Sequence, residues 1–131
     1  SGGANGIATY SNTVIMMQHE KRRFIDKIDY VTSVGWAGGP GGREKLGLPG
    51  NRGPLAVVTD KGILRFDEVT KRMYLAGYYP GVTIEDIVEN TGFEIDTSRA
   101  VQLEAPSEEI IKMIREDIDP GQAFIKVPVE E

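Results

Sequence analysis

Chemistry in this chain is concentrated near its start, where Gly2 and Gly3 are followed by His19, Lys21, Arg22 and Arg23. The pair Gly2-Gly3, with Ser1 before it and Ala4 and Asn5 after it, leads into a segment, Ala4 to Ser11, that reads as a helix. Bare backbone N–H groups at such a turn can face an anion or a developing oxyanion, and missing side chains permit a close approach. The same residues read equally well as a simple turn. His19 is the only histidine, so a multi-histidine metal site is excluded and one imidazole is available for acid–base work. It follows an apolar run, where α/β sheets present ligand-facing residues; a structural or surface histidine fits the same place. The cations Lys21, Arg22 and Arg23 suit a phosphate or a partner's carboxylates, or a solvated face.

Other reactive side chains carry less. Glu20 and Glu89 are the tempting carboxylate nucleophiles, but Glu89-Asn90 stands ahead of Gly92 in a helix-ending context, and neither glutamate is assigned a catalytic role. The run Gly38-Gly39-Pro40-Gly41-Gly42 has neither the Gly-Lys-Ser/Thr of a phosphate loop nor a dinucleotide fingerprint. It reads as a surface or interface loop. There is no cysteine, which excludes disulfides, thiolate metal sites and a cysteine nucleophile and fits a reducing cytoplasm.

The elements that must position these residues follow from periodicity and punctuation. Thr13 to Met17 is a continuous apolar run, as in a strand buried on both faces of a sheet. Ile28 to Thr32 alternates and is β-branched, which predicts a second short strand. Gly35 to Pro54 is too rich in Gly and Pro for regular structure, and Leu55 to Thr59 resumes as a buried strand. Gly62 to Tyr79 reads as an antiparallel hairpin turning at Asp67 to Lys71. Thr83 to Asp86 fits a capping box with Asp in the Glu position. The helix it opens has Ile84, Ile87 and Val88 on one face, and Gly92 stands where a left-handed C-terminal residue is expected. Ser107 should cap a last helix with Ile110, Ile111, Ile114 and Ile118 as its apolar stripe. Asp119-Pro120-Gly121 ends it, and Ala123 to Val127 reads as an edge strand or docked tail.

Bulk properties bound the possibilities. The chain has 131 residues, about one domain (1–131), with 40% apolar and 27% charged residues, ordinary values for a globular protein. Its apolar runs are far short of the ~20 residues a membrane helix needs. The net charge of −5 is uneven: residues 1–72 carry 11 Lys and Arg against 7 Asp and Glu, and residues 73–131 carry 4 against 13. A weakly basic first part points to a phosphate-bearing ligand there, with no nucleic acid and no membrane among the partners, or simply to an unevenly solvated surface. The chain opens on Ser1 without the strand that would normally deliver such a turn, and so reads as part of something longer.

Ordered blocks then carry a resemblance: Ser-Gly-Gly-Ala-Asn at 1–5, His-Glu-Lys-Arg-Arg-Phe at 19–24, and Gly-Gly-Pro-Gly-Gly-Arg-Glu-Lys-Leu-Gly-Leu-Pro at 38–49. Ala-Val-Val-Thr-Asp at 56–60, Phe-Asp-Glu at 66–68, Pro-Gly-Val-Thr-Ile-Glu-Asp at 80–86 and Glu-Asn-Thr-Gly at 89–92 follow. Together they resemble the beta subunit of the glutaconate CoA-transferase type, a class I CoA-transferase, over essentially the whole chain. The resemblance implies an α/β fold with an open, mostly parallel sheet, flanking helices and an added β-hairpin, incomplete here. It implies transfer of coenzyme A between carboxylic acids, coenzyme A being a substrate and no cofactor being held permanently. A glutamate of the beta subunit attacks the thioester and becomes a glutamyl-CoA thioester by way of a mixed anhydride.

That nucleophile belongs to a Glu-Asn-Gly-type segment upstream of the glycine turn, with no equivalent here, so the chain resembles the C-terminal half of the beta subunit. By resemblance Gly2 and Gly3 lend oxyanion-hole N–H groups, and Ala4, Asn5, His19, Arg22 and Arg23 are the expected CoA contacts. The partners implied are the CoA-transferase alpha subunit, the N-terminal half of the beta subunit and acyl-CoA, in an oligomer of the cytoplasm; this chain alone should be inactive. A ring-opening acyl-CoA hydrolase on the same scaffold and a non-catalytic CoA-binding or assembly module are the alternatives.

Overall fold

Three apolar runs separated by tight polar turns build the centre of the molecule, seen in a computed structural model that describes residues 2–123. Pro54–Val58 (β2), Gly62–Phe66 (β3) and Met73–Tyr78 (β4) form an antiparallel meander. Val57 pairs with Leu64, and Leu64 with Leu75, so one buried side chain from each strand lines up across the sheet. Ile87 and Ile95, with Phe24 from the loop after the first strand, close over this row to make the core. Each such side chain contributes roughly 1.5–3 kcal/mol on burial.

Parallel strands flank the meander. Thr13–Met16 (β1) pairs with β2, and Val101–Gln102 (β5) pairs with β4, giving the order β1-β2-β3-β4-β5. The sheet is therefore open and mixed, with two parallel and two antiparallel pairs among the described residues. The connection from β1 to β2 runs through irregular chain and one short helix, Gly42–Lys45 (α2), while β4 reaches β5 by way of the helix Ile84–Glu89 (α3). Ahead of the sheet lies Gly2–Tyr10 (α1), and after it Glu108–Met113 (α4) continues into a π-helical turn, Ile114–Ile118.

Both caps expected from the sequence are in place. The Thr83 hydroxyl accepts from Asp86 N at 3.1 Å, and the Ser107 hydroxyl accepts from Ile110 N at 3.3 Å. Asp86 does not return the bond to Thr83: its carboxylate takes the Lys61 ammonium and an amide N–H of Asn90 instead.

Four expectations are corrected. Ile28 to Thr32 forms no strand; its apolar side chains are exposed and no described strand pairs with it, so alternation has nothing to register against. Strand β1 is an edge strand of the described sheet, and Val14 and Met16 are 57% and 80% exposed rather than buried on both faces. Gly92 is not left-handed; it is glycine because an added Cβ would lie 2.6 Å from the Phe24 carbonyl oxygen, to which Gly92 N donates at 2.6 Å. The isoleucine stripe of α4 buries no residue within the described chain. Ala123 is exposed and irregular, and the rest of the expected closing strand, together with Ser1, lies outside the described residues.

Candidate functional site

Helix α1 delivers the glycine pair. The first N–H groups of an α-helix have no partner within it, and here they belong to Gly2, Gly3 and Ala4 at an exposed helix start. Glycine in a helix costs roughly 1 kcal/mol relative to alanine, yet Gly2, Gly3 and Gly6 have no positive φ, and an added Cβ would meet nothing within 4 Å. The described residues thus give no steric reason for glycine at the start of this helix. Ala4 is exposed, and the Asn5 side-chain oxygen accepts from Ser33 Oγ at 3.3 Å.

The other end of α1 is tied to the glycine-rich loop by one side chain. Arg43 is 1% exposed. Its Nη2 donates to Thr9 O, its Nη1 to Gly35 O at 2.7 Å, and its Nε to Pro49 O at 2.9 Å. The guanidinium fork satisfies one of the carbonyls left open at the end of α1, and its charge matches the negative end of the helix dipole. Arg43 can occupy this place because Gly42 lets α2 close on its own loop; an added Cβ there would stand 2.1 Å from Ala37 O. Gly42 therefore serves the folding of its own loop. Sequence reasoning passed over Arg43, and its only signal is a cation directly after a Gly-Gly pair.

His19 stands in the interior rather than at a ligand-facing surface. It is 2% exposed and stacks on Phe24 at 4.2 Å between ring centroids, with an interplanar angle of 11°. Nε2 lies 3.0 Å from Thr91 Oγ1, whose own proton goes to Ile87 O; Nδ1 lies 3.3 Å from Thr59 Oγ1. Thr59 Oγ1 already donates to Gly62 O and accepts from Lys61 N and Gly62 N, which assigns the imidazole proton to Nε2. Burial lowers the His19 pKa, opposed by Asp60. On this geometry the buried ring pins together the segments that follow β1, β2 and α3, held by its Nε2–H to Thr91 and its stack on Phe24.

Arg22 and Arg23 are at the surface and both reach one carboxylate oxygen of Glu20, at 2.5 and 3.0 Å, while Arg23 also reaches Gln18 at 3.3 Å. The hydrogen bond from Arg22, then that from Arg23, holds the Glu20 carboxyl below its ordinary range. Among the described residues, no hydrogen bond or ion pair joins this cluster to Gly2, Gly3, Ala4 or Asn5. Two clefts of ≈ 600 and ≈ 770 Å³ flank Trp36, and neither is lined by any of the expected contacts. Glu89 is exposed at the end of α3, next to Asn90, the capping residue, as the sequence implied. Among the described residues, no helix is long and apolar enough to cross a membrane.

Comparison with known proteins gives this arrangement its context. The beta subunit of glutaconate CoA-transferase from Acidaminococcus fermentans is 75% identical over 130 residues, spanning 99% of this chain and 49% of that protein. The beta subunit of 3-oxoadipate CoA-transferase from Pseudomonas knackmussii is 37% identical over 117 residues, spanning 88% of this chain and 45% of that protein. The crystal structure of the Acidaminococcus fermentans glutaconate coenzyme A-transferase superposes with a TM-score of 0.92 at 75% identity, covering 98% of this chain and 49% of the matched one. The chain thus spans about half the length of the curated relatives it matches. The sequence pattern of the coenzyme A transferase family matches residues 1–90, and the chain belongs to that family.

Proposed function

We propose that this chain works as the C-terminal half of a CoA-transferase beta subunit, moving coenzyme A between carboxylic acids in an assembly with the N-terminal half of that subunit and an alpha subunit. The observation that carries this reading is 75% identity along 99% of the chain to a glutaconate CoA-transferase beta subunit. An upstream glutamate carboxylate attacks the acyl-CoA thioester carbonyl and breaks its C–S bond, giving an acyl-glutamyl anhydride and the CoA thiolate. The thiolate then attacks the glutamyl carbonyl, releasing the first acid and leaving a glutamyl-CoA thioester. A second carboxylate collects CoA by the reverse sequence.

In this reading Gly2 and Gly3 supply backbone donors to the oxyanions of these steps. The place of Gly2 and Gly3 in the exposed first turn of α1, and glycines that the described chain does not itself require, support that role. Ala4 and Asn5 border the thioester, and Arg22 and Arg23 offer cations to the phosphates of CoA.

The test is an assay of the complete beta subunit with its alpha partner, using glutaryl-CoA and acetate. New acyl-CoA is expected; release of free CoA alone indicates hydrolysis instead. Gly3→Pro removes one donor at a helix position where proline is tolerated and should lower kcat by ~10²–10³ with the protein still folded. Unchanged kcat in that variant returns the glycine pair to a structural role.

A further inference from the structure

We propose that Arg43 is a positioning residue for the glycine turn of α1, an inference that rests on the oxyanion role given to Gly2 and Gly3 above. Helix α1 buries no side chain within the described chain, so core packing does not fix its direction. Its described ties to the loops are few: Ser33 to Asn5, Thr13 N to Gly53 O just beyond the helix, and Arg43 to Thr9. Of these, only Arg43 is fully buried, and only Arg43 joins three separate backbone segments, at Thr9, Gly35 and Pro49.

A rigid helix transmits the placement of its C-terminal turn to its N-terminal one. The span from Gly3 to Thr9 is about 9 Å at 1.5 Å per residue, short enough that a tilt at Thr9 displaces the Gly3 N–H. Donors to an oxyanion act only within a few tenths of an ångström of their place. The buried guanidinium has only carbonyl oxygens as its described partners, so its charge serves orientation rather than ion pairing. Lysine keeps the charge but presents no planar fork, and cannot hold three diverging carbonyls in one geometry.

The experiment is a double-mutant cycle in the complete two-subunit enzyme, with Arg43→Lys, Gly3→Pro and both together. Arg43→Lys should lower kcat about 10-fold or more, move KM for acyl-CoA less than about 3-fold, and leave assembly intact. On the Gly3→Pro background the same change should cost clearly less, because one of the two donors it positions is already gone. Equal losses on the two backgrounds, or a folded Arg43→Lys enzyme with unchanged kcat, would overturn the assignment. If Gly3→Pro alone leaves kcat unchanged, the oxyanion reading fails, whatever Arg43 does. Arg43→Gln provides a second variant, and failure of both to fold would make Arg43 a residue of global stability, contrary to this proposal.

Discussion

Burial keeps the His19 imidazole neutral, with its single proton placed by two threonines. Its folded-state pKa lies below the ordinary 6.5, so the unfolded chain binds a proton that the folded one resists. The stability this site contributes is complete above about pH 6.5 and is lost as pH falls from there through the lowered folded value. Thermal melts should show a decline starting near pH 6.5, well before the depressed carboxyls of Glu20 and Asp96 become protonated. His19→Gln should flatten that part of the profile; an unchanged pH dependence would remove His19 as its source. Gly92 makes a second prediction at this scale. Gly92→Ala forces a methyl against the Phe24 carbonyl and should cost about 1–3 kcal/mol, read by chemical denaturation.

Among the elements, the meander β2–β3–β4 was readable because continuous apolar runs were bracketed by Gly, Pro and Asp turns. In-register Val57, Leu64 and Leu75 confirm that reading in space. Leu64→Ala, at the centre of that row, should cost about 2–5 kcal/mol in a denaturant titration. Ile28 to Thr32 alternates and is β-branched but has no described partner strand, and β propensity is expressed only where a neighbour exists to pack against. The caps at Thr83 and Ser107 were legible because they depend on residues three positions away. Arg43 was not, since its acceptors at Thr9, Gly35 and Pro49 are brought together only by the fold. His19 was legible as following β1 but not as buried, because burial there is decided by Phe24, Thr59 and Thr91, the last two far away in sequence.

For the whole molecule, the outer edge of β1 has no strand beyond it among the described residues, and it carries the exposed side chains of Val14 and Met16. Ile7 and Tyr10 of α1 are exposed as well. Unpaired apolar edges recruit further strands. The chain prepared alone should associate in light scattering, and Met16→Lys should reduce that association by placing a charge on the edge. A clean monomer at 14.4 kDa without the substitution would mean that β1 needs no cover.

The proposed division of labour, with the nucleophile upstream and the oxyanion donors in this chain, is tested most directly by locating the covalent CoA. The complete beta subunit with its alpha partner would be incubated with acyl-CoA, digested and mapped by mass spectrometry. The account predicts a CoA thioester on a glutamate upstream of Ser1, and none on this chain when it is incubated alone. A CoA adduct on Glu20 or Glu89 would contradict it.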